Sequence, residues 1–320
     1  MKRKEFIKTS AIIGASLAVP GILQSASGLL AGESTRKVAE ILNMQREMVG
    51  TLPILRAFAG DRQDLVSPYV LFDEFGPVTM SAGAKPLRVG AHPHAGVIPT
   101  TFFLSGNGHH KDSLDYDFQI GKGDFMMFSS GRGAIHMEET GKLLHDEGGI
   151  YHGFQIWLNM PSTYKLDAPA TLLFAEKDFG KIDTEKVKGT VVLGEFGRAK
   201  SKIETLSPAF YYHMHLAADT RLDIPTDPTH NFILYLVNGN LELEGQKSLK
   251  TNQVALYHRG ESTVQLYAKE NAEILVLGGQ PLNEVVYSYG PFVMNTEEQI
   301  RQCILDYQTG KMGDPRIVDR

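Results

Sequence analysis

Four residues near the first third of the chain have types and spacing suited to metal chemistry. His92 and His94 stand two apart in Ala91-His92-Pro93-His94-Ala95-Gly96, and His136 and Glu138 stand two apart in Gly131-Arg132-Gly133-Ala134-Ile135-His136-Met137-Glu138. On an extended strand residues two apart point to one face, so each pair makes a two-toothed claw. Three imidazoles and a carboxylate brought to one point form a ligand set for a divalent first-row transition metal. A lone His-Pro-His is more often a surface turn; it is the second claw, on the same small β unit, that makes a shared site the better reading.

Stepping outward, the claws need strands that curl toward each other. Thr100 to Leu104 is β-branched and aromatic, Ser105-Gly106-Asn107-Gly108 is turn chemistry, and Tyr116 to Ile120 begins another extended run. Gly121-Lys122-Gly123-Asp124 then turns the chain into the apolar run Phe125 to Phe128. Leu52 to Phe58, Tyr69 to Asp73, Val97 to Leu104 and Phe154 to Leu158 complete a series of short strands punctuated by Gly, Pro and Asn, the pattern of an antiparallel sandwich or barrel.

A second series follows: Thr190 to Leu193, Tyr211 to Leu216, Thr220 to Ile224, Phe232 to Val237, Leu241 to Leu243, Val254 to Tyr257 and Ile274 to Leu277. Laying Phe125 to Phe128 over Val254 to Tyr257 puts Gln265 at His136 and Tyr267 at Glu138, with His230 as the remnant of the first claw. This reads as an internal duplication whose second barrel has lost its metal ligands. His213 and His215 form another same-face pair with no partner claw in view. They are expected to hold no ion. His109-His110 reads as a solvated hairpin tip, His145 as loop, His152 as a side-chain partner of the site or a pocket wall, and Trp157 as core.

The chain also resembles the pirins, two-domain proteins of the cupin superfamily. The resemblance runs from about Val66 to Gly313. It rests on Leu71-Phe72-Asp73-Glu74-Phe75-Gly76-Pro77, both claws, Gly121-Lys122-Gly123-Asp124, Gly153-Phe154-Gln155-Ile156-Trp157-Leu158-Asn159, and the C-terminal Tyr289-Gly290-Pro291-Phe292-Val293-Met294-Asn295-Thr296. It implies an all-β fold of two tandem cupin domains with a C-terminal helix. The family's metal ligands fall on His92, His94, His136 and Glu138, and the ion is usually iron. Fe(II) is therefore the expected cofactor, with Mn, Ni, Cu or Zn as alternatives. Bacterial members imply ring cleavage of flavonols such as quercetin, a dioxygenase reaction. Four protein ligands leave an octahedral ion two positions for a chelating aromatic hydroxy-ketone or dioxygen, and Glu138 is the expected catalytic acceptor of the substrate's hydroxyl proton. The alternative is a redox-sensing binding or regulatory protein without turnover. Where the family usually has Arg-Gly-Phe-Glu after the first claw, this chain has Ala95-Gly96-Val97-Ile98, which predicts a more apolar pocket rim.

The 320 residues divide on this reading into an export signal (1–30), a metal-binding barrel (31–170), a degenerate barrel (171–285) and a tail with a docked helix (286–320). Glu33 to Met48 reads as a short helix or a disordered lead. In the tail, Ile300, Cys303, Ile304 and Tyr307 recur on one helical face; Asn295 or Thr296 with Glu298 or Gln299 offers the N-cap and Gly310 the C-cap. Cys303 is the single cysteine, so no intramolecular disulfide forms. A 42% apolar and 22% charged composition is that of a soluble globular protein, and a net charge of −5 argues against nucleic acid as a partner; a monomer is expected.

The first thirty residues combine a basic start, Lys2-Arg3-Lys4, an apolar run from Ala11 to Leu23, and small residues at Ser25-Ala26-Ser27. Arg3-Lys4-Glu5-Phe6-Ile7-Lys8 resembles a twin-arginine motif with Lys4 in the second arginine's place. The run is too short and too broken by Gly14, Pro20 and Gly21 for a stable span. A periplasmic location is expected, and a cytoplasmic one if the signal is unused. Arg3→Lys should hold the precursor in the cytoplasm, and cell fractionation with N-terminal sequencing should find the exported chain starting near Gly28; normal export of the variant would remove this reading.

Overall fold

Two antiparallel barrels, each a seven-stranded sheet folded over a four-stranded one, account for the computed structural model of residues 35–319. The expected export segment lies outside the described residues. In the first barrel the large sheet runs Ala170–Phe174, Phe125–Ser129, Val97–Ser105, Gly149–Asn159, Tyr69–Met80, Leu52–Ala59, Gln45–Val49. The small sheet runs Arg88–His94, Ala134–Thr140, Gly108–Asp112, Asp117–Ile120. The second barrel repeats both. Its large sheet is Val38–Asn43, Gln253–Tyr257, Asn231–Asn238, Ala272–Gly279, Ala209–Leu216, Val187–Leu193, Gly180–Asp183, and its small sheet is Thr220–Pro225, Thr263–Ala268, Asn240–Leu243, Ser248–Lys250.

Alternation explains the strands. Phe103, Met126, Phe128 and Ala134 point inward with Phe75 and Ile120 to fill the first barrel, while Met214, Phe232, Leu234, Val264 and Ile274 fill the second. A third core joins the large sheets. Phe72, fully buried, meets Phe58, Phe154 and Tyr235 edge to face at 6.2, 6.1 and 5.2 Å, and Tyr211 of the second barrel meets Phe102 and Phe125 of the first at 5.7 and 5.9 Å. Buried hydrogen bonds cross the same seam: the Tyr69 hydroxyl donates to the Phe210 carbonyl, and the Asn231 amide donates to the Ser67 carbonyl, each at 2.8 Å.

The segment expected to be a short helix or a disordered lead, Glu33 to Met48, is strand from Val38 onward: Val38–Asn43 and Gln45–Val49. The first of these leaves its own half. It pairs with Gln253–Tyr257 of the second barrel, while Ala170–Phe174, the strand that opens the second half, pairs with Phe125–Ser129 of the first. The halves thus exchange their opening strands, and the domain ranges 31–170 and 171–285 are corrected in that sense. Arg36 fixes the exchange by donating from its guanidinium to the carbonyls of Glu261, His230 and Asp227; burial lowers its pKa to about 10.

The tail helix is Glu297–Gln308. Thr296 caps it, accepting from the Gln299 amide at 3.2 Å while the Gln299 side chain accepts from the Thr296 amide at 3.1 Å. Ile300 and the buried Cys303 press it, with Phe292 and Met294, against Ala95, Ile135 and Met137. Those three residues alternate with the claw residues, so the tail packs on the outer face of the strands whose inner face carries the histidines. Lys165, wholly buried, fastens the arrangement by donating to the carbonyls of Gly96 and Val293 and to the Asn159 amide oxygen. Burial draws its pKa down to about 7, against the opposing pull of Glu284. Gly96 has φ +75°, and a Cβ there would stand 2.0 Å from the Val293 carbonyl oxygen, so the turn after the first claw requires glycine. No helix among the described residues is long and apolar enough to cross a membrane.

Because Phe72 sits where aromatic side chains of the two large sheets meet, Phe72→Ala should destabilise the chain by about 3–5 kcal/mol in denaturant unfolding, with one transition for both barrels. A loss below about 1 kcal/mol would show that the barrels do not share this core.

Candidate metal centre

The register of the small sheet brings the claws together. Ala134 pairs with His94 and His136 with His92, and directly paired residues of antiparallel strands project from the same face. The pairing then slips by one residue between His136 and Glu138, a bulge on Arg88–His94 beside the site. On its other side His136 pairs with Asp112 and Glu138 with His110. His92, His94, His136, Glu138, His110 and Asp112 therefore crowd one inward face.

Three of the predicted ligands converge: one ring nitrogen from each of His92, His94 and His136 lies within 4.8 Å of the other two. The rings are 4.5 to 4.9 Å apart, and the Nε2 atoms of His92 and His136 face each other at 3.0 Å. His92 Nδ1 lies 2.8 Å from the Gly90 carbonyl, which only accepts, so Nδ1 carries the proton and Nε2 turns its lone pair toward His136. His94 and His136 are almost fully buried, wedged against the edge of Trp157 at 4.7 Å and the face of Phe128 at 4.5 Å. Trp157, expected in the core, is partly exposed and serves as this wall.

Glu138 stands a step aside. Its carboxylate forms a second cluster with His136 and His110. One oxygen accepts from the Thr101 hydroxyl at 2.9 Å and the other from the Gln155 amide at 2.8 Å. Glu138 and His92 open together onto a cavity of about 60 Å³ whose walls include Leu52, Ile54, Phe75, Val89, Phe103 and Tyr151. Asp73 is the buried acid at this cavity; Arg56 grips both its oxygens at 2.8 and 2.6 Å, while burial pushes its pKa up to about 6. Ala95, Val97 and Ile98, expected to make the rim apolar, lie buried outside this lining; the apolar walls come from other strands.

Electrostatics favours neutral imidazoles. Burial lowers the pKa of His92, and it drives His94 and His136 well below the ordinary value with help from the neighbouring rings. Neither His94 nitrogen makes a hydrogen bond of ordinary geometry, nor does His136 Nδ1. Buried polar atoms without partners are costly, about 1–3 kcal/mol each, and several around one point, all nitrogen lone pairs or N–H groups, are what a metal-binding face looks like from the protein's side. The donor set fits a divalent ion.

Several sequence-based expectations change here. His110 is not a solvated tip: it is fully buried, stacked on Phe118, with Nε2 2.9 Å from Asp112. His109 alone faces outward, toward Asp117 and Glu139. His145 lies on the helix Lys142–Glu147, not in a loop. His152, expected beside the site, serves the seam between the barrels: its Nε2 is 2.7 Å from the buried Glu74, which also accepts from the Tyr235 hydroxyl, and it is not among the residues lining the cavity. In the second barrel Gln265 and Tyr267 lie on the strand equivalent to that of His136 and Glu138 but on its outer face, because Val264 and Leu266 fill the barrel, and His230 lies in the connection before Asn231–Asn238 rather than on Thr220–Pro225, the strand in the claw's place. Thr101 and Gln155, which hold Glu138, were missed; their period-two placement on strands flanking the claw was the available signal.

The comparisons with known proteins agree with this architecture. Residues 51–158 match the pirin family, and residues 211–313 match the pirin C-terminal cupin domain. A pirin-like protein of Solanum lycopersicum is 32% identical over 254 residues, covering 78% of this chain and 84% of that protein. The pirin of Homo sapiens is 28% identical over 292 residues, 89% of this chain and 96% of that one. The crystal structure of quercetin 2,3-dioxygenase from Acinetobacter baumannii superposes with a TM-score of 0.84 at 30% identity, covering 88% of this chain and 100% of that chain. With both barrels matched in order and the relatives covered over most of their length, the chain belongs to the pirin family.

Proposed function

We propose that the chain is a metal-dependent dioxygenase of chelating hydroxy-ketones, of which flavonols such as quercetin are the model, with His92, His94, His136 and Glu138 holding a divalent ion, Fe(II) first among the candidates. The observation that carries the proposal is the convergence of three neutral imidazoles, two of them buried, beside a carboxylate that opens onto a largely apolar cavity. The quercetin dioxygenase with the same fold at 30% identity supports the reaction class. When bound, the ion supplies Lewis acidity and a meeting place for substrate and dioxygen.

The chain's own residues do the rest. Three neutral rings and one carboxylate leave a divalent ion one net positive charge, which favours the singly deprotonated hydroxy-ketone over its neutral form. Thr101 and Gln155 fix both oxygens of Glu138 so that the carboxylate faces the cavity and can accept the hydroxyl proton as substrate enters. Leu52, Ile54, Val89 and Phe103 keep water from the site. The cavity of about 60 Å³ is open on one side and small beside a whole flavonol, which would enter with its chelating edge first and leave its outer ring at the mouth. Small enediols and hydroxy-ketones therefore belong in the substrate panel beside flavonols. We also propose export through the twin-arginine route, which moves proteins after folding and would carry this one with its metal in place.

Two outcomes are expected. His92→Ala or His136→Ala should lose the ion bound here while the chain stays folded, since the apolar cores of both barrels form without it; elemental analysis showing full retention of metal would refute the ligand assignment. With iron loaded, Glu138→Gln should slow oxygen uptake by about 10²-fold or more at saturating substrate. Metal without oxygen uptake on any panel member would instead favour a redox-sensing binding protein.

A further inference from the structure

The pair His213 and His215 lacks a third ligand when the sequence is read alone, and the fold supplies it. Ala209–Leu216 pairs with Ala272–Gly279 so that His215 stands directly opposite Glu273, and His213, two residues back, shares that face. One ligand atom from each of the three lies within 4.8 Å of the other two. The imidazole rings are 4.8 Å apart at 69° to each other, and His213 Nε2 is 2.7 Å from a Glu273 oxygen.

We propose that His213, His215 and Glu273 form a second site for a divalent transition-metal ion of the zinc class, on the barrel whose inherited site has been lost. Two imidazoles and a carboxylate are the donors such ions select, and three protein ligands leave positions for water or a small anion. Access agrees with that use. His213 and Glu273 keep 12% and 24% of their side-chain surface, and His215 is exposed, so an ion can enter from solvent. Behind them the Phe102 ring of the first barrel stands 6.0 Å from His213 and makes an apolar wall. The opposing charge is Lys122 of the first barrel, whose exposed side chain is free to swing away. The ligands all come from one rigid sheet, so binding requires only side-chain adjustment.

The full chain, stripped with chelator and titrated with Zn²⁺, tests this through the difference between variants, which does not depend on whether the His92 cluster binds. The parent should take up one more equivalent than His215→Ala, or bind it at least tenfold more tightly, and Glu273→Gln should show the same loss. His215 is exposed, so His215→Ala should keep the parent's unfolding curve. Co²⁺ in place of Zn²⁺ should give the parent a visible absorption component that both variants lack. Equal Zn²⁺ stoichiometry and affinity in the parent and His215→Ala would overturn the site and leave His213 and Glu273 as an ordinary hydrogen-bonded pair.

Discussion

Burying several imidazoles around one point is the constraint on which the rest of this structure depends. Each ring placed out of water without a partner is costly, and rings charged together would repel, so the face is stable only when neutral and completed by a shared partner. The surroundings are arranged to that end. Gly90 sets the tautomer of His92, Phe128 and Trp157 clamp the other two rings, and Thr101 with Gln155 holds the one negative charge. The outer face of the same strands is equally committed. Ile135 and Met137, alternating with His136 and Glu138, are covered by the tail helix, and Lys165 ties the tail's backbone to the turn that follows His94.

Much of this was legible in the sequence because it depends on local periodicity. Period two placed the claws on strands, the short apolar runs marked most of the sheet, and the Thr296 and Gln299 pair marked the start of the tail helix. What escaped depends on partners distant in sequence. His109 and His110 look alike as neighbours, yet on Gly108–Asp112 they point to opposite faces, and only the pairing of His110 with Glu138 shows which is buried. Val38–Asn43, with Ala39-Glu40-Ile41-Leu42 at its centre, lacks the alternation that would tell strand from helix, and its partner strand begins at Gln253. Glu273 becomes a neighbour of His213 and His215 only through the register of Ala209–Leu216 on Ala272–Gly279.

The two barrels show how one scaffold tolerates divergence of its interior. On the strand equivalent to that of His136 and Glu138 the second barrel turns Val264, Leu266 and Ala268 inward, while Gln265 and Tyr267 face out, opposite Asp223 and Arg221, with the Arg221 guanidinium 4.3 Å from the centre of the Tyr267 ring. Apolar side chains fill the interior there, where the first barrel gathers histidines and a carboxylate. The strands, their order and the two-sheet packing survive unchanged because they rest on apolar alternation rather than on the site.

The exchange of opening strands carries a consequence for modularity. A single chain here has the connectivity that two copies of a one-barrel ancestor would have if each lent its first strand to the other. Neither half is a self-sufficient unit. A fragment cut between the barrels would expose the backbone of Gln253–Tyr257 or of Phe125–Ser129 along a bare sheet edge, and such an edge recruits any strand it meets. Fusion of the halves keeps that trade within one molecule, so each barrel is held in place as the other's lender whatever chemistry it carries.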